Sequence, residues 1–144
     1  MNRVRVIIAI TGILLPYLVR IPRGSLWVAQ YTNISAFGYL FFGAFNAIAW
    51  GSVIAWSFLY RRAFLLIFPA VFTFGFLGYM HYRLDLAADP QAAMGVIFIP
   101  IYSIPFSVVG GVIGYFIDRR LKNYDKTHPS DTGDATPPCA SSEH

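Results

Sequence analysis

The fold is decided by residues 34–80, ISAFGYLFFGAFNAIAWGSVIAWSFLYRRAFLLIFPAVFTFGFLGYM. This segment contains two charge-free runs, residues 34–60 and 63–80, which are separated by Arg61 and Arg62. Neither run has a charged face that could meet water, as an amphipathic helix of a soluble protein would. Because about 20 helical residues cross a hydrocarbon core of about 30 Å, each run predicts a transmembrane helix, with the two arginines at one membrane surface.

The composition agrees with a membrane protein. Of the 144 residues, 56% are hydrophobic and only 12% are charged, which is about half the charged share of a soluble domain. The formal net charge is +4, but the basic residues stand in small groups at the ends of apolar runs and form no stripe that could follow phosphates. We therefore expect the lipid bilayer, and no nucleic acid, as a partner.

The same reasoning along the whole chain predicts an all-α membrane protein, a four-helix transmembrane bundle with helices at residues 4–21, 34–60, 63–81 and 90–117. The membrane domain covers residues 1–122. Residues 123–144 are rich in Ser, Thr, Pro and Asp and have almost no apolar side chains, so they predict a disordered polar C-terminal tail.

The first helix has the shortest charge-free run. Residues 6–19 rise only about 21 Å in a helix, so the flanking Arg5 and Arg20 must extend toward the lipid headgroups for the helix to cross. A cleaved signal peptide is the alternative, but Trp27 stands where a cleavage site wants a small residue. We therefore favour a retained helix, followed by a loop along the interface.

The distribution of basic residues predicts the orientation. With four crossings, eight of the eleven basic residues share one side: Arg3, Arg5, Arg61, Arg62, Arg119, Arg120, Lys122 and Lys126. Arg20, Arg23 and Arg83 lie on the other side. Because basic loops stay in the cytoplasm, this bias predicts a multi-pass protein of a bacterial inner membrane with both termini cytoplasmic.

Small residues mark two candidate helix-packing faces. Four-residue spacing places the first set on one side of the second helix: Gly43, Ala47, Gly51 and Ala55. Gly110 and Gly114 make a similar pair in the fourth helix. Such faces let helices approach closely, and we favour packing within the bundle over a dimer seam.

The fourth helix also contains Pro100 and Pro105. Each proline frees a backbone carbonyl, which membranes tolerate where protein or water covers it. The two prolines therefore predict that the first half of this helix is buried in the bundle.

His81 and Asp85 are the main candidates for chemistry outside the helices. They stand four residues apart before Asp89 and Pro90, which resemble the start of a helix. Two ligands do not make a metal site, so we favour a solvated loop with local ion pairs. The only cysteine is Cys139, so we expect no disulfide within the chain. We predict no metal, no cofactor and no catalytic residue.

The charge-free runs restrict the function. Intramembrane proton coupling, thiol chemistry and haem binding need a buried ionisable residue, a cysteine pair or paired histidines, and the four runs contain none of these. The leading hypothesis is therefore a non-catalytic protein that packs against a membrane partner, as an accessory subunit or an immunity-type protein. The alternative is an oligomeric channel or transporter for a neutral small solute, lined by Asn46, Ser52, Thr73, Ser103 and Ser107. An enzyme acting at the interface through His81 and Asp85 is the third and weakest.

Overall fold

The structure, a computed structural model, describes residues 2–33, 35–87 and 91–127. These ranges contain helices and no strand. The α-helices are α1 (Asn2–Leu18), α2 (Ser25–Thr32), α3 (Ala36–Trp56), α4 (Ile67–Arg83) and α5 (Ala92–Thr127). Single 3₁₀ turns, Ile21–Arg23 and Ala63–Leu66, precede α2 and α4.

The chain is a four-helix transmembrane bundle, as the sequence predicted. The segments long and apolar enough to cross a bilayer are Asn2–Arg23, Ala36–Trp56, Ala63–Arg83 and Met94–Tyr124. Large apolar side chains cover the outside of the bundle: Phe37 and Leu40 are 77% and 75% exposed. Such a surface is suited to lipid.

Buried apolar side chains form clusters between the helices. One buried cluster joins Ile8 of α1 to Val53 of α3 and to Leu65 and Leu66 of the 3₁₀ turn before α4. A second cluster, Ala49, Leu77 and Ile99, joins α3, α4 and α5. Because lipid is as apolar as these side chains, close packing and hydrogen bonds hold the helices together.

The two ends of the bundle differ in character. At the twin-arginine end, which we define by Arg61 and Arg62, Arg61 and Arg119 line one cleft. Arg5 Nε donates a hydrogen bond to Ser57 Oγ there (2.8 Å), so the start of α1 lies at this end as well. The α2 end, on the opposite side, consists of residues 20–33 and residues 84–87.

Two segments have more helix than the sequence suggested. Residues 25–32 form α2 rather than a loop: Gly24, at φ 99°, makes the turn, and SLWVAQYT contains no residue that breaks a helix. The last helix continues to Thr127, so residues 123–127 belong to it and not to a tail. Residues 118–127 contain no Gly or Pro, and Asp118 stands four residues before Lys122, which favours helix. The rest of the predicted tail, residues 128–144, lies outside the described residues, as do Asp89 and Pro90.

Only one face of the first half of α5 is buried, so the prediction of a buried first half was wrong. Pro100 is fully buried and its carbonyl accepts a hydrogen bond from Ser103 Oγ (2.6 Å). Pro105 is exposed, and Tyr102 is 61% exposed. The helix nevertheless runs through both prolines without a break.

Candidate functional site

A buried arginine organises the α2 end. Arg20, which follows α1, has no exposed surface. Its Nη1 donates to the carbonyl oxygen of Trp27 (3.1 Å) and to Gln30 Oε1 (2.9 Å), and its Nη2 donates to the carbonyl oxygen of Leu84. Arg20 therefore ties the end of α1 to α2 and to the chain that leaves α4.

Gln30 extends this network to a carboxylate. Its Nε2 donates to Asp85 Oδ1 (2.9 Å), and its Oε1 accepts from the backbone N–H of Leu86 (3.2 Å). The amide thus stands between the guanidinium and the carboxylate, so the two charges are linked without direct contact. We call Arg20, Gln30 and Asp85 the arginine clasp.

The arginine clasp corrects the expectation that Arg20 reaches toward the headgroups. The protein itself supplies acceptors for Nη1 and Nη2, whereas Nε has no hydrogen-bond partner among the described residues. The guanidinium also lies 3.8 Å from the centre of the Tyr31 ring. In the sequence, the position of Arg20 at the edge of an apolar run was the only indication that this arginine has a structural role.

His81 lies inside the bundle and not in a solvated loop. It is 2% exposed in the last turn of α4, and its Nδ1 is 2.8 Å from the Tyr31 hydroxyl. Burial raises the pKa of Tyr31 to about 12, so the phenol keeps its proton. We assign this hydroxyl as the donor and Nδ1 as the acceptor of the bond. We infer from this donor that the imidazole proton is on Nε2, which has no hydrogen-bond partner among the described residues.

His81 and Asp85 do not share a ligand position. His81 bonds to Tyr31, whereas Asp85 bonds to Gln30 and to the backbone N–H of Ala87 (2.9 Å). No group of three residues that could hold a metal ion exists in residues 2–33, 35–87 and 91–127.

A cavity of about 210 Å³ lies beside His81, between the long helices. We call it the α2-end cavity. Its walls are mostly aromatic and aliphatic, and its lining residues are Ile13, Pro16, Tyr17, Tyr31, Tyr39, Phe42, Gly43, Asn46, His81, Val96 and Pro100. Asn46 is 7% exposed, and its Oδ1, like His81 Nε2, has no partner in the described part of the chain.

The Nδ2 group of Asn46 explains how α1 tolerates a proline. Pro16 has no N–H, so the carbonyl of Gly12, four residues earlier, loses its helical hydrogen bond. Asn46 Nδ2 donates to this carbonyl at 2.6 Å. A Cβ at Gly12 would lie 2.6 Å from Trp50 Cβ, so the glycine permits this close approach of α1 and α3.

This pairing predicts a coupling between Asn46 and Pro16. Asn46→Leu is expected to lower the free energy of unfolding by about 0.6–1.7 kcal/mol, because the Gly12 carbonyl loses its only donor. In a Pro16→Ala background the restored backbone N–H at position 16 bonds to Gly12, so the cost should fall by about half or more. A double-mutant cycle of unfolding free energies in mixed micelles measures the difference.

Ser52→Ala is the control for this cycle, because Ser52 Oγ bonds within its own helix to the carbonyl of Ala49 (2.7 Å). Its effect should be the same with and without Pro16. An equal cost of Asn46→Leu in both backgrounds would contradict the role given to Asn46.

The two glycine sets occupy different surroundings. A Cβ at Gly110 would lie 2.6 Å from the carbonyl oxygen of Phe68, and one at Gly114 would lie 2.6 Å from the Tyr60 hydroxyl. Both positions are therefore used by contacts within the bundle. By contrast, no atom lies within 4 Å of a Cβ built at Gly43 or Gly51.

Ala47 and Ala55 are half-buried and exposed, respectively. The α3 face formed by Gly43, Ala47, Gly51 and Ala55 is thus open at its glycines, although the sequence favoured packing within the bundle. We call it the α3 small-residue face. Gly12 and Gly111, which the spacing did not single out, are packed against Trp50 and Trp56.

No family model, no curated protein and no solved structure matches this chain.

Proposed function

We propose that this is a non-enzymatic membrane protein that packs its α3 small-residue face against a transmembrane helix of a partner protein, as an accessory subunit or an immunity-type protein. The observation that carries the proposal is the open space at Gly43 and Gly51. A glycine inside a helix costs about 1 kcal/mol relative to alanine. Gly12, Gly110 and Gly114 offset that cost through close contacts inside the bundle, but Gly43 and Gly51 have no such contact. Gly75 is equally open, but it belongs to no series of small residues at four-residue spacing.

The overall coverage of α3 supports the same proposal. In the apolar 18-residue stretch within Ala36–Trp56 only 11% of the residues are buried, compared with 22% to 39% in the corresponding stretches of the other three spans. A helix with small residues on an uncovered side offers dispersion contacts to another helix, which is the interaction that favours helix association in lipid.

The alternative is passage of a neutral solute through an oligomer. Four of the five polar residues expected to line such a path, Asn46, Thr73, Ser103 and Ser107, are buried between the helices of a single chain, at 7% exposure or less. The fifth, Ser52, bonds within its own helix. This placement gives less support to a path between copies than to a packing role.

The orientation belongs to the proposal as well. The twin-arginine end and the basic end of α5 lie on the same side of the bundle, and the excess of basic residues there supports a cytoplasmic location for that end. The partner helix would then share a bacterial inner membrane with this protein, and the α2 end would face away from the cytoplasm.

Site-specific crosslinking tests the partner. With a photo-crosslinking residue at Ala55, one turn from Gly51, we expect one heterologous adduct of defined mass in native membranes. Gly51→Leu should reduce the adduct by about tenfold, because a large side chain would hold the partner helix away. Gly43 is left unchanged in this test because it also lines the α2-end cavity.

Gly75→Leu is the matched control. Gly75 is exposed on α4, and a Cβ there also meets nothing within 4 Å, so both leucine variants should fold equally well. The control should leave the adduct unchanged. An adduct of twice the chain mass would replace the partner hypothesis with self-association, and no adduct from Ala55 would reject both.

A further inference from the structure

We infer that the α2-end cavity is a binding site for a small neutral phenol or alcohol that enters from the lipid bilayer. The inference does not depend on the proposed packing of α3. It rests on two buried polar atoms, His81 Nε2 and Asn46 Oδ1, whose residues line one apolar cavity and which have no hydrogen-bond partner in the described residues.

The unpartnered atoms define the polar group of the ligand. With the Tyr31 hydroxyl assigned as the donor to His81 Nδ1, Nε2 carries a hydrogen that it can donate. Asn46 uses its Nδ2 on the Gly12 carbonyl, so its Oδ1 can only accept. A ligand hydroxyl can accept from the first and donate to the second. Filling both removes the cost of two unsatisfied buried groups.

A charged ligand fits this site poorly. With His81 in the neutral form assigned above, the polar side chains that line the cavity, His81, Asn46 and the tyrosines, provide no opposite charge to offset the desolvation of a carboxylate or an ammonium group. The guanidinium of Arg20 does not line the cavity, and its Nη1 and Nη2 are bound to Trp27, Gln30 and Leu84. The ligand is therefore neutral.

The volume sets the size of the ligand. An apolar protein cavity of about 150 Å³ holds benzene and stays free of water. The 210 Å³ here leaves room for one aromatic ring with a hydroxyl and a short alkyl group. Phe42, Val96 and Pro100 provide apolar walls for the ring.

The route of entry follows from the exposed lining residues. Ile13 on α1 is 50% exposed, Tyr39 on α3 is 39% exposed, and Gly43 is also exposed. The cavity is therefore reached between α1 and α3, from the side of the bundle that faces lipid. A ligand that partitions into the bilayer meets this opening directly.

Two probes that differ only in the hydroxyl test the inference. The full chain in lipid nanodiscs, with isotope-labelled histidine, is titrated with 4-ethylphenol or with 4-ethyltoluene. We expect 4-ethylphenol to shift the His81 Nε2 resonance saturably and to bind at least about tenfold more tightly than 4-ethyltoluene. The resonances of His128 and His144 distinguish binding at His81 from general partitioning into the lipid.

A leucine at the opening tests the site without touching its polar groups. A Cβ at Gly43 meets nothing within 4 Å, so Gly43→Leu should fold normally. Because Gly43 lines the cavity, the leucine side chain would occupy part of the ligand's volume and weaken 4-ethylphenol binding by about tenfold. Gly75→Leu, the same change on another exposed surface, should leave the affinity unchanged.

Three results would overturn the inference. Equal affinity for the two probes would show that the polar pair selects no hydroxyl. The absence of any saturable shift would mean that the cavity holds water only. Unchanged affinity in Gly43→Leu would place the bound phenol elsewhere.

Discussion

Arg20→Met is expected to release α2 from the bundle and to lower the free energy of unfolding by about 3–5 kcal/mol. The substitution keeps much of the apolar stem but removes the donors for the carbonyls of Trp27 and Leu84 and for Gln30 Oε1. The partly buried carbonyls of Trp27 and Leu84 would lose this donor, and Gln30 Oε1 would keep only the Leu86 N–H. The two chain segments that Arg20 connects to α1 would lose their common attachment. Unfolding in mixed micelles gives the free energy, and hydrogen exchange of the α2 amides reports the release.

A second variant at position 20 tests whether the stability depends on the several hydrogen-bond donors of the guanidinium or on its charge alone. Arg20→Lys keeps the charge, but a compact ammonium cannot reach acceptors on both α2 and the end of α4, so most of the loss should remain. Arg23→Met is the control. Arg23 lies 4.0 Å from the Trp27 ring and 4.5 Å from the Tyr82 ring, and losing these contacts should cost about 1 kcal/mol or less. Native stability and slow α2 exchange in Arg20→Met would show that the arginine clasp does not hold the α2 end.

The arginine clasp and the α2-end cavity are physically connected through Tyr31. The Tyr31 ring lies under the Arg20 guanidinium, and its hydroxyl bonds to His81 Nδ1. Release of α2 would remove the donor that fixes the His81 tautomer and would take away one wall of the cavity. A hydroxyl-selective response of His81 to 4-ethylphenol should therefore disappear in Arg20→Met.

The number of crossings could be predicted because it depends on local properties. Charge-free runs of sufficient length specify transmembrane helices whatever the rest of the chain does, so residues 34–60 and 63–80 were sufficient to indicate two of the four crossings. The burial of Arg20 depends instead on acceptors that lie 10 and 64 residues away in sequence. Rules for an arginine at the edge of an apolar run describe its contact with lipid, and they do not anticipate acceptors provided by the protein.

The glycine patterns show a second limit. Small residues repeat every four positions at Gly43, Ala47 and Gly51, as they do at Gly110 and Gly114, and this spacing predicts a close helix contact for each set. It does not specify which helix makes the contact. That choice depends on the order of helices around the bundle, which brings the backbone of Phe68 against Gly110 and leaves Gly51 open.

Gly110→Ala is expected to destabilise the bundle by about 3 kcal/mol, the upper part of the range for overpacked interiors. The added Cβ would lie 2.6 Å from the Phe68 carbonyl oxygen and 2.7 Å from Pro69 Cα. Both are backbone atoms in the first turn of α4, so relief requires the helices themselves to separate. The Tyr60 hydroxyl also donates to the Gly111 carbonyl at 2.6 Å, and separation of α5 would weaken this bond.

Gly51→Ala is the matched control, because the same methyl group meets nothing within 4 Å. It should leave the bundle unchanged or stabilise it by up to about 1 kcal/mol through helix propensity. Thermal unfolding and micelle titration of the two variants side by side give the difference, and equal stabilities would contradict the close contact assigned to Gly110. The contrast also determines how a packing partner can be sought. A variant at Gly110 would lose a partner because the bundle itself is damaged, whereas a leucine at Gly51 changes only the surface that the partner would cover.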